Sequence, residues 1–587
     1  MKKKYILLIL VLAVIGTLGS CKQDFLTVAP TGSLDQGFLQ NSNGLDALLI
    51  GAYSMIDGTS SQIGSGWEST ASNWVFGSIR GMEANKGTDG GDQPDINPLQ
   101  TYSEDANNPY LNIKWREVYE AISRCNSVII VANKALTAGK ITQDQATSYI
   151  SQATALRGWY HFEAWRMWET VPYVDEKTEP STVTNTADIR PQIIADMTVG
   201  TTLPVDMKQI GKFNKTVCEV LLAKAQMQMY HDNAAYAAAL TLLNDVVATG
   251  KKPNNAAIGL STTFGEIFDI ANRNNIESVY TVQYSVNDGS GAWNASVGEV
   301  LNFPYKSGGS PGGCCGFFDP TQEFVNSFRV NATGLPMLDN TYNNFPVKSD
   351  YGLTPAQPFT TDAGLLDPRL DWTVGRRGIP YWDWGLHTGS DWIRDQTYSG
   401  PYNGKKAVYK KSQERQYTDI SSWTSGYTAN GYRMIRYADV LLLQAECMIK
   451  TGNLAGARTN INLVRERAGV ASGWVKTIDG TANAANYLIN QYPAAGAPFD
   501  NAANALIALQ MERKLELGME GQRWFDLNRW GNTVVELNRV MTYEKTMPWG
   551  TLLYGNATIT AKATLFPIPQ RQLDLSNGKL VQNPKLK

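Results

Sequence analysis

The sequence contains little histidine, little cysteine and almost no net charge. Of 587 residues only three are histidines, His161, His231 and His387, and their spacing fits no metal-binding motif. The formal net charge is −2, so the composition predicts no binding to nucleic acid and no polybasic membrane contact. After residue 18 no segment is apolar enough to span a membrane. A metal centre, a nucleic-acid interface and a membrane-spanning helix are therefore not expected.

The N-terminus has the pattern of an export signal. Residues 2–4 are lysines, residues 5–18 form an apolar run, and small residues follow, which predicts a signal peptide over residues 1–20. Residues 18–21 read Leu-Gly-Ser-Cys, which is similar to the bacterial lipobox. We expect Cys21 to become the acylated first residue of an exported lipoprotein, held on the membrane by its lipid. The alternative is a plain secretory signal with a coincidental cysteine.

The six cysteines divide into different kinds of site. Cys125, Cys218 and Cys447 each occur in a helical pattern among apolar neighbours, so we expect them to be small buried side chains. Cys314 and Cys315 are adjacent in a run of glycines, in a chain expected to reach an oxidising compartment. They predict a vicinal disulfide whose flanking glycines accept unusual backbone angles; two free thiols are the alternative.

Helical periodicity dominates both ends of the chain. Residues 110–136 and 142–168 form two long amphipathic patterns with a short link, which predicts antiparallel neighbours. Residues 221–243 align with residues 441–463, and each copy has a central alanine, a polar turn and a second helix rich in small residues. This echo resembles the tetratricopeptide helix-turn-helix unit and favours a scaffold of helical hairpins.

Residues 278–430 have a different composition. Glycine, proline, asparagine, aspartate and aromatic residues dominate there, with short strand-like pieces, which indicates a long insertion carried by the helices. Function usually lies on such loops. The predicted organisation is a signal peptide (1–20), an N-terminal helical region with ligand loops (21–277), the insertion (278–430) and a C-terminal helical region (431–587).

Motifs in the C-terminal half carry a family resemblance. "RYADVLLLQAEC" (436–447), "INLVRERAG" (461–469), "MERKLELGMEGQRWFDLNRWG" (511–531), "FPIPQRQL" and the terminal "VQNP" resemble the SusD/RagB family of nutrient-binding outer-membrane lipoproteins of Bacteroidetes. Residues 152–174 and the start "CKQDFL" are also similar to that family, whereas the insertion matches least.

The resemblance implies a fold and a function. The fold would be mainly α, a tetratricopeptide-like scaffold of helical hairpins with a loop-rich, minor-β insertion forming the ligand face. The protein would sit at the cell surface on the outer membrane, bind a glycan and deliver it to a SusC-type TonB-dependent transporter, without being an enzyme. The alternatives are a binder of peptides or other nutrients, a surface glycoside hydrolase, and a structural lid without ligand contacts.

The charged residues of 511–531 allow a structural and a catalytic interpretation. Glycosidases need two carboxylates at a fixed separation, which the glutamates here could supply. Ion pairs that hold a helix to its successor are the favoured interpretation, and the residues concerned are Glu512, Glu516, Glu520, Arg513, Arg523 and Arg529.

A glycan offers C–H faces to aromatic rings and hydroxyls to polar side chains. In the early loop we favour Asp57 with Trp74, although Trp74 could instead pack in the core. In the insertion the disulfide would be a compact apolar plate for a sugar. The candidate ligand-binding residues are Asp57, Trp74, Trp293, Cys314, Cys315, Arg376, Trp382 and Trp384.

No cofactor is expected. Asp89, Asp92 and Asp95 could lie near a calcium ion, but their spacing is not that of an EF-hand, and a solvated acidic loop is the favoured interpretation.

Overall fold

The structure, a computed structural model, describes residues 39–58, 66–306 and 309–586. Within these ranges eleven helices have eight residues or more, so the fold is mainly α, as the sequence predicted. They are α1 Ser42–Ser54, α2 Pro109–Thr137, α3 Gln143–Trp168, α4 Arg190–Gly200, α5 Lys215–Tyr230, α6 Asn233–Thr249, α7 Tyr437–Lys450, α8 Leu454–Ala468, α9 Ala502–Leu517, α10 Arg523–Trp530 and α11 Thr533–Glu544. Shorter helices are Ile96–Thr101, Gln322–Asn326, Leu370–Thr373, Gln396–Ser399, Gly550–Tyr554 and Gln570–Leu575.

The long patterns of residues 110–168 form one helical hairpin, α2 and α3. The side chain of Asn108 accepts a hydrogen bond from Tyr110 N and caps the start of α2. Thr142 and Gln145 form a reciprocal capping box at the start of α3, which ends the short link and sets the direction of the second helix. The two helices pack against each other along their length, which confirms the prediction.

The two echoing segments are also helical hairpins, α5–α6 and α7–α8. Asp232 and Asn453 occupy equivalent places, because each caps the second helix of its hairpin with its side chain. Ala225 and Ala445 are fully buried at the centres of the first helices, where a small side chain lets the partner approach closely. Because α6 packs against α7, the two hairpins are neighbours, as in a tetratricopeptide stack.

The described chain between α6 and α7 has short helices, turns and strands of two to four residues. The antiparallel pairs are β1 Ala84–Gly87 with β3 Phe317–Pro320, β2 Ser278–Tyr280 with β6 Ile435–Arg436, and β4 Val374–Gly375 with β5 Asn403–Gly404. The β1–β3 pair joins the early loop to the insertion, and β2–β6 returns the chain to α7. A second loop-rich segment, 469–501, separates α8 from α9 and was not anticipated.

A cluster of ion pairs is buried where the insertion meets the helices. Glu516 on α9 accepts hydrogen bonds from Arg369 (3.1 Å), Arg436 (3.0 Å) and Arg467. Glu512, one turn earlier, accepts from Arg369 at 2.6 Å. Burial alone would raise the pKa of Glu516, but the surrounding arginines outweigh that effect and hold it below the ordinary value.

The cluster confirms that these glutamates are structural, but several of their partners differ from the expectation. The Arg513–Asp526 pair joins α9 to the next helix, as expected. Glu520 instead pairs with Lys406 of the insertion and with Arg436 of β6. The carboxylates on α9 and just after it therefore fasten the insertion to the scaffold, while the Arg513–Asp526 pair holds two successive helices together.

Replacing Glu516 by alanine is expected to destabilise the protein by about 3–5 kcal/mol, because it leaves buried arginines without their counter-charge. Urea denaturation at pH 7 measures the free energy of unfolding. Glu466→Ala on α8 is the control, since Glu466 is exposed and its loss is expected to cost within about 0.5 kcal/mol.

The stabilisation by Glu516 depends on pH. Its pKa is lower in the folded than in the unfolded chain, so its contribution is present above the unfolded value of about 4.3 and is lost as the pH falls below it. The difference between wild type and Glu516→Ala is therefore expected to shrink in acid. A variant as stable as wild type at pH 7 would contradict the role of this cluster.

Candidate functional site

Three loop segments of the insertion lie against one another and form one surface. Asn287 joins the first two, because its Nδ2 donates to the carbonyls of Arg415 and Thr418, both at 3.1 Å, and its Oδ1 accepts from Ile420 N at 3.0 Å. We name the surface formed by residues 285–296, 309–316 and 415–428 the cystine face.

The third segment carries the two cysteines and joins the second through Gly312. The carbonyl oxygen of Gly312 accepts hydrogen bonds from Thr424 Oγ1 at 3.1 Å and from Ser425 Oγ at 3.2 Å. Residues 415–428 are themselves folded back, since Asp419 N donates to the Tyr427 carbonyl at 2.8 Å. All three segments lie within the predicted insertion, although residues 307–308 are outside the described ranges.

Cys314 and Cys315 form the predicted vicinal disulfide. Cys315 is buried and its N–H donates to Leu301 O at 2.9 Å, whereas Cys314 is only half-buried. The flanking Gly312, Gly313 and Gly316 all have positive φ, between 75° and 78°, which confirms why glycine is needed on both sides. The loop therefore presents one edge of a disulfide at the surface.

Two tryptophans on the cystine face are strongly exposed. Trp293 is 52% exposed and Trp423 is 64% exposed. The Trp423 ring is held edge-on to Tyr427, with 6.0 Å between centroids, and its Nε1 lies 3.2 Å from the Tyr427 hydroxyl. Exposed aromatic rings of this size make the surface a candidate binding site. Trp423 was missed from the sequence, although its Ser-, Thr- and Gly-rich neighbours in residues 421–426 were a signal that no core surrounds it.

Ionised carboxylates lie among these rings. Hydrogen bonds from the Ser285, Ser290 and Asn294 side chains lower the pKa of Asp288. A hydrogen bond from Ser421 similarly lowers the pKa of Asp419. Both groups remain acceptors at neutral pH, so the face combines flat apolar rings with oxygens that can accept from sugar hydroxyls.

The early-loop candidates lie behind this face. Trp74 is only 1% exposed, its Nε1 donates to Gly298 O at 3.0 Å, and its ring packs near Phe317 and Phe318. It therefore packs in the core, which was the alternative weighed from the sequence. Asp57 is half-buried at the end of the turn after α1, and its charge helps to raise the pKa of Glu117 after burial itself. Neither side chain is brought to the cystine face.

Arg376 is used within the protein. It is buried, and its Nε and Nη2 donate to the two oxygens of Asp371 at 2.6 and 2.9 Å. Arg376 therefore makes, with Asp371, the forked hydrogen bonds that we expected it to make with a ligand. The position after β4 explains the difference, because the side chain turns into the interior.

Trp382 and Trp384 are half-buried, and neither belongs to the three segments of the cystine face. Trp382 lies 5.0 Å from the Trp372 ring, in an open groove with Trp474, Asp269 and Lys410. We name the surface formed by these five residues and Asp383 the tryptophan groove. The neighbouring Trp384 instead packs on Tyr409 and donates from Nε1 to its carbonyl at 2.9 Å.

Side-chain cations occupy the acidic loop considered for calcium. Arg394 pairs with Asp89 at 2.8 Å and with Asp92 at 2.6 Å. Lys86 Nζ adds hydrogen bonds to the carbonyls of the same two aspartates. No group of three or more possible metal ligands occurs among the residues that the structure describes.

The structure tests one of the membrane-related predictions, the expectation that no helix after the signal peptide spans a membrane. None of the described helices is both long and apolar enough to cross a membrane. The predicted signal peptide and Cys21 lie outside the described residues.

Comparison with known proteins identifies the family. The SusD family model matches residues 276–585, more than half of the chain, so the protein belongs to the SusD family, as its motifs predicted. No curated protein sequence matches significantly.

Solved structures share the whole fold at low sequence identity. A SusD superfamily protein from Bacteroides vulgatus is 18% identical, with a TM-score of 0.65 over 93% of this chain and 99% of its own. Surface glycan-binding protein A from Bacteroides uniformis is 21% identical, with a TM-score of 0.64 over 93% and 100%. The Bacteroides thetaiotaomicron protein of that name, in complex with laminarihexaose, is 18% identical with a TM-score of 0.65 over 92% and 99%. Two of these relatives are thus named as binding proteins, not as enzymes.

The disulfide predicts a specific alkylation pattern. In native, unreduced protein, iodoacetamide is expected to leave the peptide with Cys314 and Cys315 unlabelled, and reduction is expected to expose two labelling sites there. Cys125, Cys218 and Cys447 are buried free thiols whose pKa values are raised by burial, so they should react only after unfolding. Mass spectrometry of the peptides reads all five positions, and label on both adjacent cysteines before reduction would contradict the pairing.

Proposed function

We propose that this protein is a cell-surface lipoprotein that binds a glycan on the cystine face and passes it to a SusC-type TonB-dependent transporter. The observation that carries the proposal is the placement of exposed Trp293 and Trp423 on the same loop surface as the vicinal disulfide. Family membership and the glycan-binding relatives support the ligand class. Acylation of Cys21 would anchor the protein in the outer membrane.

The binding mode follows from the chemistry of the face. Sugar rings would stack on Trp293 and Trp423, with the half-exposed Cys314 edge as an apolar surface between polar groups. Asp288 and Asp419 would accept hydrogen bonds from hydroxyls. No step requires a cofactor. Within the proposed organisation, the insertion of residues 278–430 supplies this surface and the helices hold it in place.

Hydrolysis of the glycan is not part of the proposal. Both carboxylates of a glycosidase must reach the scissile bond. Glu512 and Glu516 are fully buried in ion pairs, and Glu520 is paired with Lys406 and Arg436. The glutamates considered from the sequence therefore support the scaffold, and the function proposed is binding and delivery.

Replacing Trp423 by alanine is expected to weaken oligosaccharide binding about tenfold or more, because the variant loses a stacking ring on the proposed site. Isothermal titration against a panel that includes laminarihexaose measures the affinity, and Trp293→Ala should act in the same direction. Phe345→Ala is the control, since Phe345 is 61% exposed but lies outside the cystine face.

The same titrations decide between surfaces and ligand classes. Unchanged affinity in both tryptophan variants would contradict the cystine face, and a loss in Trp382→Ala alone would move the site to the tryptophan groove. Binding of peptides with no binding of any oligosaccharide would favour the peptide alternative. Shortened oligosaccharides in the ligand recovered after incubation would show that the protein hydrolyses the glycan.

A further inference from the structure

A second pocket lies behind the cystine face and contains an arginine with unused hydrogen-bond donors. Trp74 forms one wall, Ser296 and Thr428 form the wall towards the face, and Arg433 lies on the opposite segment before β6. Counting the open solvent at its mouth, the space inside the pocket measures about 770 Å³.

Arg433 is the unusual member of this pocket. It is only 9% exposed, and its Nη1 makes one long hydrogen bond, 3.4 Å, to Gly431 O. Its Nε and Nη2 have no hydrogen-bond partner among the described residues. Burial lowers its pKa to about 10, so the guanidinium remains charged at neutral pH. A buried charge with unused donors is costly unless an anion accompanies it.

The carboxylates near Arg433 are committed to other cations. Glu520 accepts from Arg436 at 2.8 and 2.9 Å and from Lys406 at 2.7 Å. Asp269 pairs with Lys410 at 2.5 Å. Glu299 accepts hydrogen bonds from Ser72 and Asn302, and burial raises its pKa. None of these three carboxylates forms a hydrogen bond with Arg433, so its free donors can bind a further negative group.

The pocket also contains hydrogen-bond acceptors without partners, beside the unused donors of Arg433. The Oδ1 atoms of Asn302 and Asn430 have no hydrogen-bond partner within the described chain, although both residues are buried. The amide nitrogens of the two asparagines already donate, to Glu299 Oε2 at 2.9 Å and to Ala407 O at 3.0 Å. Both amide oxygens therefore remain available to accept hydrogen bonds from hydroxyls.

We propose that this pocket binds an acidic sugar residue, with its carboxylate on the free donors of Arg433 and its hydroxyls on Asn302 and Asn430. A carboxylate with neighbouring hydroxyls is what a uronic acid offers and a neutral hexose lacks. This inference rests on the proposed function and narrows its ligand class. Arg433 would act as a specificity-determining residue for charged glycans.

The test compares D-glucuronate with D-glucose in isothermal titration and in thermal unfolding of the full mature chain. Wild type is expected to bind glucuronate more tightly than glucose and to unfold at a higher temperature in its presence. Arg433→Gln should reduce glucuronate affinity about tenfold or more, because a charge-assisted hydrogen bond is lost. Arg433→Lys should retain part of the effect without the forked geometry. Arg571→Gln removes an exposed arginine elsewhere and should change nothing.

Several results would overturn the inference. If wild type binds neutral oligosaccharides but shows no preference for glucuronate over glucose, the pocket holds only water. Equal affinity for glucuronate in wild type and in Arg433→Gln would show that Arg433 does not contact the ligand. Binding of N-acetyl-aspartate without binding of glucuronate would show that the ligand of this pocket is not an acidic sugar. Neutral oligosaccharide binding is expected to weaken in Trp423→Ala and to be kept in Arg433→Gln, so failure of this inference is distinguishable from failure of the proposed function.

Discussion

Glu516 receives hydrogen bonds from arginines of three separate segments, and this convergence holds the loop-rich insertion against the helices. Arg369 comes from the insertion, Arg436 from β6 and Arg467 from α8, and all lie in the interior. A buried ion pair adds little net stability over apolar packing, but breaking one is costly. The cluster therefore fixes where the insertion docks, which a long segment with few regular hydrogen-bonded elements could not specify through its backbone alone.

The same constraint shapes both proposed sites. With the insertion docked, side-chain to backbone contacts such as those of Asn287 and Ser425 bring the loops of the cystine face together. Glu520 is paired with Arg436 and Lys406, and the neighbouring Arg433 makes no hydrogen bond to a carboxylate. Structural pairing around α9 thus leaves an arginine with unused donors in a pocket behind the cystine face.

The sequence predicted the features that depend on local patterns. Helical periodicity and the short link between residues 136 and 142 predicted the first hairpin, and adjacent cysteines among glycines predicted the disulfide. Which side chains reach solvent depends on how distant loops dock, and no local pattern reports that. Trp74 and Arg376 were therefore proposed as ligand contacts but are buried, whereas Trp423 was overlooked. The ion partners of Glu516 could not be predicted from local patterns either, because they lie up to 147 residues away from it in the sequence.

Hydrogen–deuterium exchange with and without the oligosaccharide that binds most tightly tests the central claim most directly, because it reports where the ligand lies along the whole chain. The account predicts that protection will be concentrated in residues 285–296, 309–316 and 415–428, with the helical hairpins α5–α8 unchanged. Protection confined to those hairpins or to the tryptophan groove, with the cystine face unaffected, would contradict it.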